Sequence, residues 1–407
     1  MQSAHRNCPG QPVDQEWQFR QLSTVLKAHE ALWRPAPFCL PLLPWESQYP
    51  ALTAALAALC DRELAALEAD HAALPGWLAG YIPGLSQLES LQCVPALAAT
   101  HCDYPPGFER DIPGRKWQQV TAFTACLDQL EGSVLDWCAG KAHLGRAVCQ
   151  RFGTPVTALE WNPELCASGN AMSRQLQLDV RLERCDVLSA PATCLAGQAR
   201  HAVALHACGD LHRRLLELVA AGHVHSLHLS PCCYHLIDSA QYHPFSQAGR
   251  DCGLNLSRDE CRLAVQETVT ASAAAARRRE KKSAWRLGFD ALQRRLRGAD
   301  EYLPVPSIPD AIFAGSFADF CRHAAALKAL AVPTGVDWPN FEQQGWQRLA
   351  RVSRMELPRH CLRRALELWL VLDRALFLGE QGYRVNVGTF CERRLTPRNL
   401  MIRASRH

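Results

Sequence analysis

Short apolar segments alternate with amphipathic ones from residue 133 onward. The apolar segments predict five β-strands, at 133–137, 156–160, 180–185, 201–206 and 224–229. The segments between the strands place apolar residues at helical spacing, as Leu144, Val148 and Phe152 do after the first strand. Strands that alternate with helices form parallel sheets covered by helices. The centre of the chain is therefore predicted to be an α/β domain.

The N-terminal third follows a helical pattern. Leucines on one broad face predict a helix over residues 52–74, which we expect to end at Pro75 and Gly76. A cluster of prolines and glycines at 104–114 marks the boundary to the sheet domain. We therefore predict a helical N-terminal domain over residues 1–112.

The alternation stops after the fifth strand and resumes near the end of the chain. Ser257 and Glu260 form a capping box that predicts a helix over 258–276. The final elements are a helix over 362–378 and two strands, at 385–390 and 400–404.

The predicted domains follow from these elements. The sheet domain occupies 113–236 and is completed by a closing helix and strand hairpin at 359–407, around a helical, partly basic insertion at 237–358. The fold class is α/β, with a Rossmann-like sheet of seven strands whose last strand is reversed.

Composition bears on the compartment. No apolar run approaches the roughly 18 residues that a membrane span requires, and the N-terminus lacks the apolar stretch of a secretory signal. The 19 cysteines fall within predicted helices and strands and not at the spacings of a disulfide framework. We expect a soluble, cytoplasmic protein with free thiols and no membrane contact.

The candidate chemistry begins where the first strand ends. Asp136 is followed by a turn of mostly small residues and then by a helix, a geometry that brings backbone N–H groups close to a nucleotide-like ligand. Glu160 ends the second strand, where a carboxylate can accept from both hydroxyls of a ribose. Trp161 is expected to lie against the adenine, and Asp186, beside Val187, to accept from the adenine amino group.

NAD and S-adenosylmethionine both carry a ribose that suits an acid after the second strand. NAD sites prefer the pattern G-x-G-x-x-G, which this turn lacks. The terminal helix and hairpin match the reversed last strand of a methyltransferase sheet. The sequence therefore favours S-adenosylmethionine as the cofactor.

Three segments resemble signatures of one methyltransferase family. They are Asp136-x-Cys138-Ala139-Gly140-Lys141-x-His143-Leu144-Gly145, His206-x-Cys208-Gly209-Asp210-Leu211 and Cys232-Cys233-Tyr234-His235. The family includes methyltransferase-like proteins described as rRNA-adenine-dimethylase-domain-containing, and its motifs are similar to those of a tRNA 2′-O-methyltransferase family. The resemblance covers residues 114–235 and 360–404.

The resemblance implies a set of residues that line the cofactor pocket. With the turn and strand-end residues above, the candidates are Asp136, Cys138, Ala139, Gly140, Lys141, His143, Glu160, Trp161, Asp186, Val187, His206, Ala207 and Cys208. Cys138 and Ala142 replace two glycines of the general pattern acid-x-Gly-x-Gly-x-Gly. If either needs a positive φ, a side chain there costs about 1–2 kcal/mol.

The fourth strand is followed by His206-Ala207-Cys208-Gly209 and not by the N/D-P-P-Y/F motif of amino-group methyltransferases. This argues against methylation of an adenine N6. A hydroxyl acceptor benefits from a general base, and His206 and His235 are the catalytic candidates. Adjacent cysteines rarely ligate one tetrahedral metal, so we expect no metal site and a role for 232–235 in shaping the substrate pocket.

One basic region carries most of the positive charge. Residues 277–297 hold nine Lys or Arg against two acids, while the whole chain has a net charge of +4. Trp285, Phe289 and Leu292 can face the protein while Arg286, Arg294, Arg295 and Arg297 point outward, extended by Arg393, Arg394 and Arg398. Such a surface suits a phosphate backbone, so RNA is the favoured substrate. A protein or small-molecule methyltransferase and a non-catalytic RNA-binding protein remain alternatives, and the oligomeric state is open.

Overall fold

The computed structural model describes residues 14–70, 72–267 and 273–406. Within these ranges the chain forms two compact units. The sheet unit contains residues 14–28, 89–267 and 363–406, and the helical unit contains the described parts of 29–88 and 273–362. These boundaries differ from the predicted ones, because the first helix and residues 89–112 and 237–267 belong to the sheet unit.

The sheet unit is built on seven strands in the order β3-β2-β1-β4-β5-β7-β6, with β7 antiparallel to both β5 and β6. The strands are β1 Val134–Trp137, β2 Val156–Glu160, β3 Val180–Arg184, β4 His201–Cys208, β5 Ser226–Cys232, β6 Arg384–Thr389 and β7 Leu400–Ser405. The predicted Rossmann-like sheet with its antiparallel closing hairpin is confirmed.

The burial of each strand reflects its position in the sheet. Every residue of β1 and β5 is buried, as expected for strands covered on both faces, whereas β3 at the sheet edge alternates buried and exposed residues. The core on one side of the sheet includes Phe123, Val148, Val203 and Met401.

Helices cover this sheet. They are α1 Gln15–Ala28, α6 Leu88–Leu91, α7 Gly114–Ala125, α8 His143–Phe152, α9 Pro163–Gln175, α10 Pro191–Gly197, α11 Asp210–Ala220, α12 Gln247–Asp251, α13 Arg258–Cys261 and α19 Arg363–Glu380. Helix α1 packs on α19, where Phe19 stacks on Trp369 with ring centroids 5.1 Å apart and the indole N–H of Trp369 donates to Ser23. This contact explains why the first helix joins the sheet unit.

Two buried charged residues of α19 hold the segment after β5 in place. The carboxylate of Asp373 accepts from Tyr242 Oη at 2.6 Å, and also from the backbone N–H groups of Phe245 and Ser246. The neighbouring Arg374 donates to His212 Nε2 and to Tyr242 Oη. Because buried charges are stable only when paired and hydrogen-bonded, this network fixes residues 242–246 against α19 and α11.

The helical unit has its own core. Its helices are α2 Glu30–Trp33, α3 Pro50–Ala58, α4 Asp61–Ala69, α5 Ala73–Ala79, α14 Ala273–Arg297, α15 Asp310–Ala314, α16 Phe317–Leu327, α17 Trp338–Met355 and α18 Leu357–Cys361. Aromatic residues of α14 to α16 pack together, with Trp285, Phe313 and Phe320 in mutual ring contact. Gly288 and Gly345 let α14 and α17 approach closely, since a Cβ on Gly345 would lie 2.2 Å from the Ala284 oxygen.

Two helix predictions were wrong in extent. The helix predicted over 52–74 is divided into α3, α4 and α5, and Pro75 and Gly76 lie inside α5 and not at a helix end. Proline is tolerated in the first turn of a helix, where its missing N–H has no partner to lose. The helix predicted over 258–276 ends at Cys261; its capping box is present, but a 3₁₀ turn at Leu263–Val265 follows. Residues 268–272 of that prediction lie outside the described ranges.

A membrane-spanning helix is not found in the described parts of the chain, where every helix is too short or too polar to cross a bilayer.

Candidate active site

The turn between β1 and α8 is a tight bend that begins at Asp136. Three of its residues adopt left-handed backbone conformations, with φ of 57° at Cys138, 59° at Gly140 and 55° at Ala142. Cys138 and Ala142 are the two positions where the general pattern has glycine, so their conformation costs about 1–2 kcal/mol each. The bend keeps the glycine-type backbone although two of its glycines are replaced.

Asp136 lies beneath this bend. Its side chain is buried, and its Oδ2 accepts a hydrogen bond from the backbone N–H of Gly145 at 2.8 Å. Burial raises the pKa of Asp136 to about 7, against the opposing effects of the Gly145 hydrogen bond and of the charge on Lys116. Asp136 therefore stabilises the first turn of α8 through its hydrogen bond to Gly145.

Glu160, at the end of β2, braces the bend from the side. Its Oε2 accepts from the backbone N–H of Gly140 at 3.0 Å, and its Oε1 accepts from that of Asn162 at 2.9 Å. A carboxylate offers about four lone-pair sites, so each oxygen of Glu160 keeps acceptor capacity beyond these two bonds. Glu160 can hold the bend and accept from a ligand at once.

A cavity of about 420 Å³ opens beside the bend at the carboxyl ends of β1, β2 and β3. This first cavity is lined by Cys138, Leu159, Glu160, Trp161, Cys185, Asp186, Val187 and Leu211. Five of these eight were predicted as site residues from the sequence. The ring of Trp161 is 72% exposed, so a flat ligand can reach its face.

Three lining residues were not predicted. Leu159 precedes Glu160 in β2, Cys185 precedes Asp186 just after β3, and Leu211 comes from the first turn of α11. The Leu211 carbonyl accepts from the indole N–H of Trp137 at 2.8 Å, which fixes it beside the cavity. The sequence patterns that predict polar ligand contacts do not identify apolar lining residues of this kind.

A second cavity, of about 500 Å³, lies at the ends of β4 and β5 and shares Leu211 with the first. It is lined by Leu188, Cys208, Asp210, Leu211, His235, Leu236, Ile237, Asp238, Arg258, Asp259 and Arg262. His235 Nδ1 is buried and makes no hydrogen bond with any described residue. Burial, followed by the charge on Arg262, lowers the pKa of His235, which keeps its ring neutral and able to accept a proton.

The sequence of this part of the chain matches a known family. Residues 115–240 match the family described as "Methyltransferase domain". This match covers 126 of the 407 residues, all within the sheet unit. The match supports the predicted S-adenosylmethionine-dependent methyltransferase, whereas a relation to rRNA or tRNA enzymes is not shown.

Comparison with solved structures gives distant similarities. One is geranyl diphosphate C-methyltransferase from Streptomyces coelicolor A3(2), in complex with Mg²⁺, geranyl diphosphate and S-adenosyl-L-homocysteine, at 16% identity with a TM-score of 0.20 over 31% of this chain and 53% of that one. Another is coclaurine N-methyltransferase bound to N-methylheliamine and S-adenosyl-L-homocysteine, at 14% identity and a TM-score of 0.23, over 51% of this chain and 62% of that one. The chain thus spans between half and two thirds of each structure's length. Such low scores say nothing about its substrate, and among curated proteins none matches this chain.

Several predicted cofactor residues of the methyltransferase domain do not line the first cavity. Asp136 lies below the bend, and Ala139, Gly140 and Lys141 form the bend itself without lining the cavity. The His143 Nδ1 contacts Arg146 Nη2 at 2.7 Å, and burial lowers the pKa of His143 to about 4. These residues shape the bend and do not face the cavity.

The predicted strand-four residues do not line the first cavity. His206 lines neither cavity, and its Nε2 is hydrogen-bonded to Gln119 Oε1 at 2.9 Å. Burial lowers the pKa of His206 to about 4. The Ala207 carbonyl accepts from His212 Nδ1, and Cys208 lines the second cavity, not the first. The register of β4 shifts between Leu205 and Ala207, and His206 adopts a φ of 66° there, so this strand end is not regular.

Helix α7 contributes two residues that the sequence did not reveal. Gln119 holds His206, and Lys116 is among the charges that shift the pKa values of Asp136, His143 and His206. Burial lowers the pKa of Lys116 itself. No motif or periodicity marks these two positions, so only the packing of α7 beside the bend identifies them.

The ends of β4 and β5 bring three thiols of the methyltransferase domain together. The Sγ atoms of Cys208, Cys232 and Cys233 all lie within 4.8 Å of one another, and those of Cys208 and Cys232 are 3.4 Å apart. All three thiols are free, as are most cysteines of the described ranges; Cys93, which forms a disulfide, departs from the predicted pattern. Hydrogen bonds from the other two thiols lower the pKa of Cys233 and burial opposes this.

The basic region is only partly exposed. Arg286 donates to the carbonyls of Val305 and Pro306, and Arg294 pairs with Asp290 and Asp300. The prediction that these two arginines point outward was wrong, because acids and carbonyls within the helical unit bind them. Arg297 is exposed but likewise donates to Gln293 and Glu301, and Arg277, Arg278 and Arg295 are also exposed.

The proposed extension of this surface by the last hairpin was also wrong in part. Arg393 pairs with Glu267, and Arg398 donates to the carbonyls of Val265 and Glu267. Both side chains tie the hairpin to residues 265–267. Arg394 stays exposed, although it contacts Glu392.

Proposed function

We propose that this chain is an S-adenosylmethionine-dependent methyltransferase that methylates a hydroxyl group of RNA. One observation supports the enzyme most strongly: the bend after β1, Glu160 after β2 and Asp186 after β3 meet at one cavity within a methyltransferase domain. Ligands of open α/β sheets bind at the carboxyl ends of the strands, which is where this cavity lies.

The chemistry of the first cavity fits an adenosine-bearing donor. Glu160 would accept from the two ribose hydroxyls, and Asp186 from the adenine amino group, while the exposed ring of Trp161 would cover the adenine. The bend brings backbone close to the ligand without bulky side chains. S-adenosylmethionine supplies the methyl group when bound.

The second cavity fits the acceptor. It adjoins the first at Leu211, and it contains His235, a neutral imidazole whose Nδ1 has no hydrogen-bond partner among the described residues. A hydroxyl must lose a proton as it accepts a methyl group, and a neutral imidazole is the usual base for this step. Holding the acceptor in line with the methyl group would supply much of the remaining rate.

RNA is favoured by the exposed positive charge at the start of α14. Arg277 and Arg278 are exposed and form no ion pair with a described acid, although the charge of Arg278 is among those that lower the pKa of Asp310. Their neighbours Lys281 and Lys282 are already engaged, by the Phe313 carbonyl and by Asp310. The basic surface proposed for RNA is therefore smaller than the sequence suggested.

The reaction can be tested with labelled donor. The full chain, incubated with methyl-labelled S-adenosylmethionine and with total RNA or total protein, is expected to label RNA. Alkaline hydrolysis then separates the two kinds of product, because a 2′-O-methyl group protects the adjoining phosphodiester bond from cleavage. Label in protein or in small molecules alone would contradict the RNA assignment, and label in mononucleotides after hydrolysis would contradict a ribose hydroxyl.

Salt dependence tests the RNA contact separately. The double variant Arg277→Ala/Arg278→Ala should bind RNA more weakly, and the slope of log K against log salt should fall by about 1.5, from roughly 0.7–0.9 for each lost phosphate contact. Arg62→Ala/Arg322→Ala removes two exposed arginines elsewhere in the helical unit and should leave the slope unchanged. Equal slopes for both double variants would remove α14 from the RNA surface.

A further inference from the structure

The three clustered thiols lie at the carboxyl ends of β4 and β5, near the openings of the two cavities. Cys208 ends β4, Cys232 ends the neighbouring parallel strand β5 in register with it, and Cys233 follows directly. Their sulfur atoms are mutually within 4.8 Å. Cys208 also lines the second cavity, so the cluster borders the space that we assign to the acceptor.

The backbone departs from regular strand geometry to bring the thiols together. Successive side chains of a strand point to opposite faces, so Cys232 and Cys233 would normally be separated. Cys233 instead adopts a φ of 48°, and the register of β4 shifts at His206, whose φ is 66°. Left-handed conformations are unfavourable for both residue types, and strained residues of this kind concentrate at functional sites.

Positive charge surrounds the cluster. The charge of Arg398 acts on Cys233, and Lys116 interacts with Cys232. The carbonyls of His206 and Ala207 lie 3.6 Å from the Cys208 and Cys232 sulfur atoms. The positive charges of Arg398 and Lys116 favour thiolates, the form in which cysteine binds metals, whereas the two carbonyls accept from the thiol form.

We propose that Cys208, Cys232 and Cys233 bind one Zn²⁺ ion. Thiolates bind Zn²⁺ at about 2.3 Å, so two sulfur atoms on a tetrahedral zinc are roughly 3.8 Å apart. The observed separations, 3.4 Å for one pair and at most 4.8 Å for the others, bracket this distance. Shifts of the sulfur atoms by about 1 Å or less would therefore bring them to zinc-binding distance of one another.

The number of ligands indicates the kind of site. Structural zinc sites have four protein ligands, whereas sites with three keep one position for water or substrate. This zinc site would have three, beside the cavity that contains His235. The proposal departs from the expectation of no metal, which rested on the rarity of adjacent cysteine ligands; the positive φ of Cys233 answers that objection. The proposed zinc site does not depend on which molecule accepts the methyl group.

Zinc binding can be measured without any methylation assay. The full chain, reduced and freed of metal with a chelator, is titrated with Zn²⁺ in competition with a chromogenic chelator, and with Co²⁺ in parallel. One equivalent should bind, and Co²⁺ should show a thiolate-to-metal charge-transfer band. Absence of binding or of that band would overturn the proposal.

Variants identify the ligands. Each of Cys208→Ser, Cys232→Ser and Cys233→Ser should weaken Zn²⁺ binding more than about 100-fold, beyond the loss typical of residues that only orient a ligand. Cys126→Ser, at another buried thiol of the sheet unit, and Cys194→Ser, at an exposed one, should bind as the unmodified chain does. Equal affinity in all five variants would overturn the assignment of the ligands.

A second measurement avoids variants that fail to fold. Alkylation of the unmodified chain, mapped by mass spectrometry, should show Cys208, Cys232 and Cys233 protected by one equivalent of Zn²⁺ and Cys194 unprotected. Equal labelling of the three with and without zinc would contradict the site. Binding of S-adenosylhomocysteine, measured on the same samples, reports on the proposed methyltransferase independently, so failure of one proposal can be told from failure of the other.

Discussion

The carboxylate of Asp136 accepts a hydrogen bond from the backbone N–H of Gly145 at 2.8 Å, although the two residues are nine positions apart in the sequence. Gly145 lies in the first turn of α8, where backbone N–H groups have no partner within the helix. Ala142, the residue before α8, has no side chain that can cap them. Asp136 therefore caps α8 from the preceding strand and holds the bend closed.

This close approach requires glycine at position 145. A Cβ there would lie 3.0 Å from Asp136 Oδ2 and 3.1 Å from Val156 Cγ1, with both neighbours buried. Gly145→Ala should therefore lower the free energy of unfolding by about 1–3 kcal/mol, as overpacking of a buried site does. Urea or thermal unfolding measures this directly.

Gly379→Ala provides the matched control. Gly379 is also helical, within α19, but a Cβ there would meet nothing within 4 Å. Alanine favours helix over glycine, so this variant should be neutral or up to about 1 kcal/mol more stable. If both variants had the same free energy of unfolding, the close packing around Gly145 would not contribute to stability.

The raised pKa of Asp136 predicts a pH dependence of stability. The folded chain holds the Asp136 proton up to about pH 7, whereas the unfolded chain releases it near its usual value of 3.8. Between these values the folded state binds more protons, so this residue's contribution is full below about pH 4 and is lost as the pH rises through 7. The slope is at most about 1.4 kcal/mol for each pH unit.

Asp136→Asn isolates this contribution. The amide oxygen of asparagine can still accept from Gly145, but it does not titrate. His143 and His206, whose pKa values are lowered, contribute with the opposite sign, so the quantity to compare is the difference between the two proteins. Unfolding between pH 4 and 8 should show the stability of the unmodified chain falling relative to that of the variant. Parallel curves would mean that Asp136 is ionised throughout.

Glu160 is predicted to bind both the bend and the cofactor. Glu160→Ala removes the hydrogen bonds to Gly140 and Asn162 together with the acceptor in the first cavity. Binding of S-adenosylhomocysteine, measured by calorimetry, should weaken by about 1–3 kcal/mol. Glu164→Ala, at an exposed acid four residues on, should bind normally. A normal affinity for Glu160→Ala would place the cofactor elsewhere.

The sheet could be predicted from the sequence because its strands are buried on both faces. Such strands read as continuous apolar runs, and β2 was predicted with its observed bounds of Val156–Glu160. The helices near residues 52–79 were harder, because a leucine-rich pattern continues across breaks at Leu59 and Asp70. Local backbone breaks leave the apolar periodicity nearly unchanged, so periodicity alone does not locate them.

The site was predictable where its residues adjoin strand ends and not where distant elements supply them. Glu160 ends β2, Trp161 follows it, and Asp186 lies two residues after β3; all three line the first cavity. Lys116 and Gln119 come from a helix earlier in the chain, and no spacing relates them to the bend. The register shift at His206 depends on backbone geometry that propensity does not encode, and Cys208 lines the second cavity, not the first.

His235 is predicted to act on the acceptor and not on the cofactor. It lines the second cavity, whereas the first contains the cofactor candidates. His235→Ala should lower kcat by about 100-fold or more, the usual contribution of a general base, and leave the affinity for S-adenosylhomocysteine unchanged.

Since burial lowers the His235 pKa, activity of the unmodified chain should fall only below the usual titration range of histidine, and this decline should be absent from the variant. His243→Ala, at an exposed histidine of the same segment, is the control. A loss of cofactor affinity with unchanged kcat would make His235 part of the first cavity's chemistry instead.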